Sequence, residues 1–282
     1  MRTVLTLLTL FAATLTHAAT PQRVVSVDGT ISEIVFALGA GERLVGVDTT
    51  SVYPADVHDL PKVGYKRALS AEGLLSLQPD LVLYNTDAGP PVVLQQLEQA
   101  GLPMVKIPNE PSVEGTLEKI QAVADALDLS EQGRAMAEQV SAELAEVLPD
   151  GSAETRAVFV LHIGAGSDMA AGDDTSAAGI IELAGGVNAL RDAFTGYKPI
   201  TAEAMLAAAP DVILVTERNL RQLGGVSGLL SRAGLAATPA GQAGRIVPID
   251  ALLMLGFGPR LPAAVQQLHE AFTGTSTTAL AD

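Results

Sequence analysis

Short apolar-rich stretches recur along the chain, at Arg23–Val27, Leu44–Val47, Leu81–Tyr84, Met104–Ile107, Ala157–His162, Val212–Val215 and Arg245–Pro248, and those at Leu81–Tyr84 and Val212–Val215 are unbroken. Runs this short and continuous suit strands of a parallel sheet covered on both faces. Between them the pattern turns helical. Ser32–Leu38 and Ala177–Leu183 each end in a Gly-rich stop, at Gly39-Ala40-Gly41 and Gly185-Gly186. Ser112–Leu148 is rich in Ala, Glu, Leu and Gln and contains no Pro. Ser130 with Glu131 reads as a fresh helix start, and the stretch to Leu148 predicts roughly 28 Å of helix. Pro149-Asp150-Gly151-Ser152 then breaks it. The pattern predicts an α/β protein of two lobes, each with a mostly parallel central sheet flanked by helices, joined by one long spine helix. The expected boundaries are 20–128 for the first lobe, 129–149 for the spine and 150–282 for the second lobe.

The two halves repeat each other. Residues 64–87 read GYKRALSAEGLLSLQPDLVLYNTD and residues 196–218 read GYKPITAEAMLAAAPDVILVTER. From Leu69 and Ile200 onward the offset is 131 positions. The shared frame is Gly-Tyr-Lys, Ser/Thr-Ala-Glu, an apolar helix, Pro-Asp and an apolar strand. Ser70 and Thr201 are expected N-caps, with Glu72 and Glu203 in first turns where the helix dipole favours a carboxylate. Leu74, Leu75 and Leu77 are expected to form the apolar side of the first of these helices, and Pro79 and Pro210 to end the pair.

Composition narrows the class. The chain has 282 residues, 48% of them apolar but only 4% aromatic, so it can bury large cores made of Ala, Val, Leu and Ile. Seventeen basic residues against 32 acidic ones give a net charge of −15, which disfavours nucleic acid and anionic membrane surfaces. There is no Cys, hence no disulfide framework, Cys-based metal site, Cys nucleophile or lipidated Cys anchor. Residues 1–19, MRTVLTLLTLFAATLTHAA, read as a cleaved secretory signal with a short positive start, an apolar middle and small residues at the end. The apolar part falls short of the roughly 20 residues a span needs. A mature chain from about Thr20, exported to a bacterial periplasm, is the expectation.

With these features together, the mature chain resembles the helical-spine class of periplasmic substrate-binding proteins, which serve ATP-driven importers of cobalamin, ferric siderophores and haem. Three stretches resemble the haem-binding branch: VGYKRALSAEGLLSLQPDLVL (63–83), LAGGVNAL with GYKPITAEAM (183–205), and LMLGFGPRLP (253–262). The resemblance implies a monomer that binds ferric haem (protoporphyrin IX) between its lobes and passes it to a membrane permease dimer. It also implies that Tyr65 is the axial ligand to iron. A phenolate is a hard anionic base suited to ferric iron, but free phenol titrates near pH 10, so a nearby cation must favour the anion. Arg67 is the candidate for that cation or for a haem propionate. A loop tyrosine that merely packs its ring is the plain alternative.

His162 ends an apolar run just before Ile163-Gly164-Ala165-Gly166 and is the candidate second ligand; a strand-end histidine bonded to backbone is the alternative. Tyr197, the repeat counterpart of Tyr65, is a candidate for stacking or hydrogen bonding in the cleft. Arg221, with Arg218, follows the 212–215 run and is a candidate for the cleft mouth, as are Met254 and Phe257 for its apolar wall. His58 and His269 are expected at the solvated surface. The resemblance further implies that Glu72 and Glu203 dock on the two permease subunits.

Enzyme signatures are missing. Gly164-Ala165-Gly166-Ser167-Asp168 is not GxSxG, and there is no P-loop, no complete dinucleotide fingerprint and no HExxH. The mature chain keeps only three scattered histidines, which argues against an exported metal-dependent hydrolase. A ferric-siderophore or cobalamin carrier of the same class stays open as the alternative.

Overall fold

The computed structural model describes residues 20–151, 154–162 and 168–274. The expected signal (1–19) and the Gly-rich segment after His162 (163–167) lie outside the described residues. The first half contains strands β1 (Val24–Val27), β2 (Leu44–Val47), β3 (Gly64–Tyr65), β4 (Ala68–Leu69), β5 (Leu81–Asn85) and β6 (Met104–Ile107). Helices α1 (Gly29–Ala37), α2 (Ala71–Leu75) and α3 (Pro91–Gln99) lie between them. Strands β2-β1-β5-β6 form one sheet in that order, every pair parallel. All four strands are the apolar runs, and each lies within a residue of its expected bounds.

Helices α4 (Val113–Ala126) and α5 (Ser130–Val147) follow, packed on each other. The Ser112 hydroxyl caps α4 by accepting from Gly115 N at 2.9 Å. The second half contains β7 (Arg156–His162), β8 (Asp168–Ala171), β9 (Val187–Asn188), β10 (Tyr197–Pro199), β11 (Val212–Thr216) and β12 (Ile246–Ile249). Its helices are α6 (Ser176–Leu183), α7 (Ala202–Ala208), α8 (Glu217–Gln222), α9 (Gly225–Leu230), α10 (Pro239–Ala243), α11 (Ala251–Leu255) and α12 (Leu261–Thr273). The sheet order is β10-β8-β7-β11-β12, with β9 also on β7. Its core pairs β7·β11, β11·β12 and β7·β9 are parallel as expected. The pairs β7·β8 and β8·β10 are antiparallel, an edge that the apolar pattern did not predict.

The spine helix α5 buries Val140 and Leu144 in one core that runs through both halves. That core takes in Ile120 and Leu127 of α4, Phe159 of β7 and Leu268 and Phe272 of α12. Polar contacts reinforce the junction. Arg260 forks both carboxylate oxygens of buried Glu33 on α1 at 2.9 Å each, and its guanidinium stacks on Tyr53 at 3.7 Å from the ring centroid. Lys119 of α4, fully buried, donates to the carbonyls of Gly256 at 2.9 Å and Phe257 at 3.2 Å. Gly256 and Gly258 permit this closeness. A Cβ on either would come within 2.8 Å of the Thr30 Oγ1 or 2.7 Å of its Cγ2, respectively. Met254 and Phe257, expected as cleft wall, are instead buried in this core.

Burial lowers the Lys119 pKa to about 8, with the Asp28 carboxylate pulling it back up. The folded protein therefore sheds this proton near pH 8, while the unfolded chain keeps it to the ordinary lysine value of 10.5. Between those values the unfolded state binds more protons, so stability rises with pH. Wild type is expected to gain on Lys119→Met in urea unfolding between pH 8 and 10, by at most roughly 3 kcal/mol. A stability difference independent of pH over that window would overturn the depressed pKa.

Candidate functional site

Parallel strands bring their carboxyl ends to one edge of each sheet, and the loops that leave those edges are where an α/β protein binds ligands. At the edge of the first sheet stands the hairpin β3–β4, with Lys66 and Arg67 at its turn. Two backbone bonds, Thr49 N to Gly64 O at 2.9 Å and Gly89 N to Lys66 O at 2.9 Å, tie it to neighbouring loops. Side chains complete the mounting. Lys66 Nζ lies 2.6 Å from Asp28 Oδ2, and both side chains are largely buried. Asp28 also accepts from Asn85 Nδ2 and from Thr30 N, each at 2.8 Å. One carboxylate at the end of β1 thus holds the start of α1, the end of β5 and the hairpin turn. The hairpin presents Tyr65 outward at 43% exposure.

Arg67 donates to Asp87 Oδ2 at 3.0 Å. Burial works against its cation, but the Asp87 carboxylate and the neighbouring Tyr65 oxygen outweigh that and raise its pKa. Tyr65 and Arg67 are therefore adjacent, as the sequence suggested. Tyr197 reaches the same place from the second lobe. Burial pushes its phenol up to about 12, and the Arg67 cation pulls it the other way. One arginine thus acts on two tyrosines, one from each copy of the repeat. Tyr65 is the exposed member, and Tyr197 is partly buried against the shared core and stays neutral.

His162 lies in a separate network. Its Nδ1 is 2.7 Å from Asp168 Oδ1, and Asp168 Oδ2 is 3.6 Å from Arg232. Asn219 brackets the His162 backbone, accepting from its N at 3.0 Å and donating to its O at 3.1 Å. Registers Leu161↔Met169↔Pro199 and His162↔Asp168 fix the faces. By alternation, the His162 and Asp168 side chains share one face of the sheet and Tyr197 stands on the other. Arg221 and Arg218 on α8 are exposed, and Arg221 faces Glu217 at 3.7 Å. His58 is exposed, whereas His269, expected in solvent, is partly buried with Nδ1 3.1 Å from Ala184 O. Glu72 and Glu203 are both exposed. Among the described residues, no group of three or more His, Cys, Asp or Glu side chains converges as a metal site.

Sequence reasoning missed Asp28, Asn85, Asp168, Tyr53 and Arg260. The Asp28 contacts span 38 and 57 positions, a separation that no local pattern reports. A weak signal existed for Asp28 and its partner: Asp28 follows directly on an apolar-rich run, and Lys66 sits inside the repeated Gly-Tyr-Lys.

Two sheet-centred lobes fixed on a helical spine, with loops at the carboxyl edges, are the architecture of a substrate-binding protein of a transport system. The chain belongs to the periplasmic binding protein family, which matches residues 24–252. Among characterised sequences it is similar to an uncharacterised ABC transporter substrate-binding lipoprotein, YvrC, of Bacillus subtilis, at 26% identity over 89% of this chain and 79% of that protein. It is also similar to the vitamin B12-binding protein of Vibrio cholerae, at 24% identity over 88% of this chain and 87% of that protein. Among solved structures, the apo periplasmic haem-binding protein RhuT of Roseiflexus sp. RS-1 superposes with a TM-score of 0.86 at 42% identity, covering 90% of this chain and 98% of that one. The periplasmic haem-binding protein BhuT, in complex with two haems, superposes at 0.83 with 44% identity, covering 89% and 98%. Family membership gives an extracytoplasmic location.

Removing Asp28 strands the buried Lys66 ammonium. Asp28→Asn is expected to cost roughly 3 kcal/mol in urea unfolding, and Asp28→Asn with Lys66→Met less than the sum of the two single changes. Strict additivity would show that the pair does not mount the hairpin.

Proposed function

We propose that this chain is the binding component of an ABC importer for ferric haem, with Tyr65 as the principal axial ligand. The observation that carries the reading is the exposed Tyr65 phenol mounted beside the Arg67 cation, with the neutral phenol of Tyr197 on the far side. The donor set fits the cargo. Arg67 places a cation beside the Tyr65 oxygen, where it pairs with that oxygen or with a haem propionate, and Tyr197 supplies a ring and an O–H donor. Haem-binding neighbours at 42% and 44% identity support haem over the vitamin B12 that the 24% relative binds.

His162 is the second ligand candidate in this reading. The Asp168 carboxylate accepts from Nδ1, which orients the ring and leaves Nε2 for a metal. Its face of the sheet differs from that of Tyr197, so it serves a second haem or the far side of the iron and not the Tyr65 position. Arg221, exposed on α8, belongs to the rim in this reading. Residues 20–128 and 150–282 act as the two jaws and 129–149 as the spine. Cleavage of residues 1–19 releases a monomer into the periplasm. Glu72 and Glu203 face the permease dimer, with no ion pair to either among the described residues.

Titration of the purified protein with hemin tests this. Wild type is expected to saturate with a tyrosinate-type ferric spectrum. Tyr65→Ala should lose that band and bind more than about 100-fold more weakly, and Arg67→Ala roughly 10-fold more weakly. His162→Ala should keep the tyrosinate band and change coordination number or stoichiometry. Absence of a saturable haem spectrum, together with saturable binding of cyanocobalamin, would replace haem by a corrinoid.

A further inference from the structure

The internal repeat does more than place two glutamates. Among the described residues, seven large apolar side chains are well exposed, and two of them are Leu75 at 39% and Leu206 at 49%. These positions are 131 apart, the offset of the repeat. Each lies three residues after Glu72 or Glu203 on the same short helix, so acid and leucine share one outward face. The packing that turns them outward is also duplicated. Leu74 and Met205, the preceding residue in each copy, are fully buried and anchor the helix inward. Ser70 and Thr201 cap the two helices in the same way, accepting from Gly73 N at 3.4 Å and Ala204 N at 3.2 Å. Nothing inside the fold uses a leucine at either outward position. The sequence pattern assigned Leu75 to the apolar side of its helix, and the structure turns it to solvent.

We infer that Leu75 and Leu206 form, with Glu72 and Glu203, two equivalent docking knobs for a partner built of two equivalent subunits, each offering a cation beside an apolar recess. This rests on the importer reading above and names the chemistry of the permease surface it requires. Two equal knobs, one on each lobe, call for two equal sockets, and a free carboxylate in each calls for a basic group there. Charge alone would dock poorly. Exposed ion pairs contribute little, and salt screens them within about 8 Å under physiological conditions. The leucines add burial of apolar surface, a contribution that salt does not weaken.

The test uses the haem-loaded full-length mature protein and the haem permease–ATPase complex of the source bacterium in lipid nanodiscs. Dissociation constants are measured at about 50 mM and 500 mM NaCl, a range over which screening of exposed charges changes strongly. Leu75→Gln with Leu206→Gln is expected to bind roughly tenfold more weakly or worse at both salts, with hemin titration and melting temperature unchanged. Glu72→Gln with Glu203→Gln should instead flatten the salt dependence. Leucine variants that bind within twofold of wild type, beside glutamate variants that fail, would overturn the apolar contribution and leave docking through the glutamates intact. Wild-type affinity in both pairs, or no binding by wild type, would overturn the docking reading itself.

Discussion

The fork between Arg260 and Glu33, backed by the Lys119 ammonium on the Gly256 and Phe257 carbonyls, holds the two halves in one relation. These groups are buried, so each would cost several kcal/mol if left unpaired, and they pair only when the last third of the chain lies against α1 and α4. The apolar core through α5 supplies most of the cohesion. The buried charges supply direction, because a core of Ala, Leu and Val tolerates sliding that a two-toothed ion pair does not. Everything at the cleft depends on that registration. Tyr65 and Tyr197 belong to different lobes, and Arg67 acts on both only because the junction sets the two carboxyl edges opposite each other.

The two tyrosines show how position sorts identical residues into different roles. Both follow a glycine and precede a lysine in the repeat. Tyr65 stands on a small hairpin that projects from its sheet. Tyr197 is paired into β10 and packs on the shared core, where burial holds its phenol neutral. One motif thus yields an exposed phenol and a buried, neutral one through different burial. The mounting of Tyr65 is itself an electrostatic device. The two residues that follow it carry positive charge, Lys66 directed inward to Asp28 and Arg67 outward to Asp87.

Much of this was legible in the residues. Continuous apolar runs located the parallel strands because burial on both faces leaves no polar position to blur them. Ser70 and Thr201 marked helix starts correctly because a capping hydroxyl is a local interaction. The resemblance pointed to Tyr65 with Arg67, and the repeat added Tyr197. The antiparallel edge of β8 and β10 was not legible. It is short, rich in Ala and interrupted by Gly172, and its pairing is set by the neighbour it lies on. The Asp28 hub was invisible for a similar reason, since its partners converge only after folding. The outward turn of Leu75 also escaped a reading by periodicity, because a five-residue helix contains too little of a period to show a face.

The divergence of the two copies follows a geographical rule. Lys66 is buried on Asp28, while its counterpart Lys198 is exposed and lies 5.4 Å from the Phe194 ring. Arg67 corresponds to Pro199, which has no charge at all. These differences lie toward the cleft. The features that match — capping hydroxyl, exposed carboxylate, buried anchor and exposed leucine — follow within the next few residues of each copy. A duplicated ancestor would have offered two identical halves to both ligand and partner. This chain has broken the symmetry at the tyrosine turn and kept it along the capped helix that follows, so the two lobes differ in the chemistry of one turn while sharing the surface of the next.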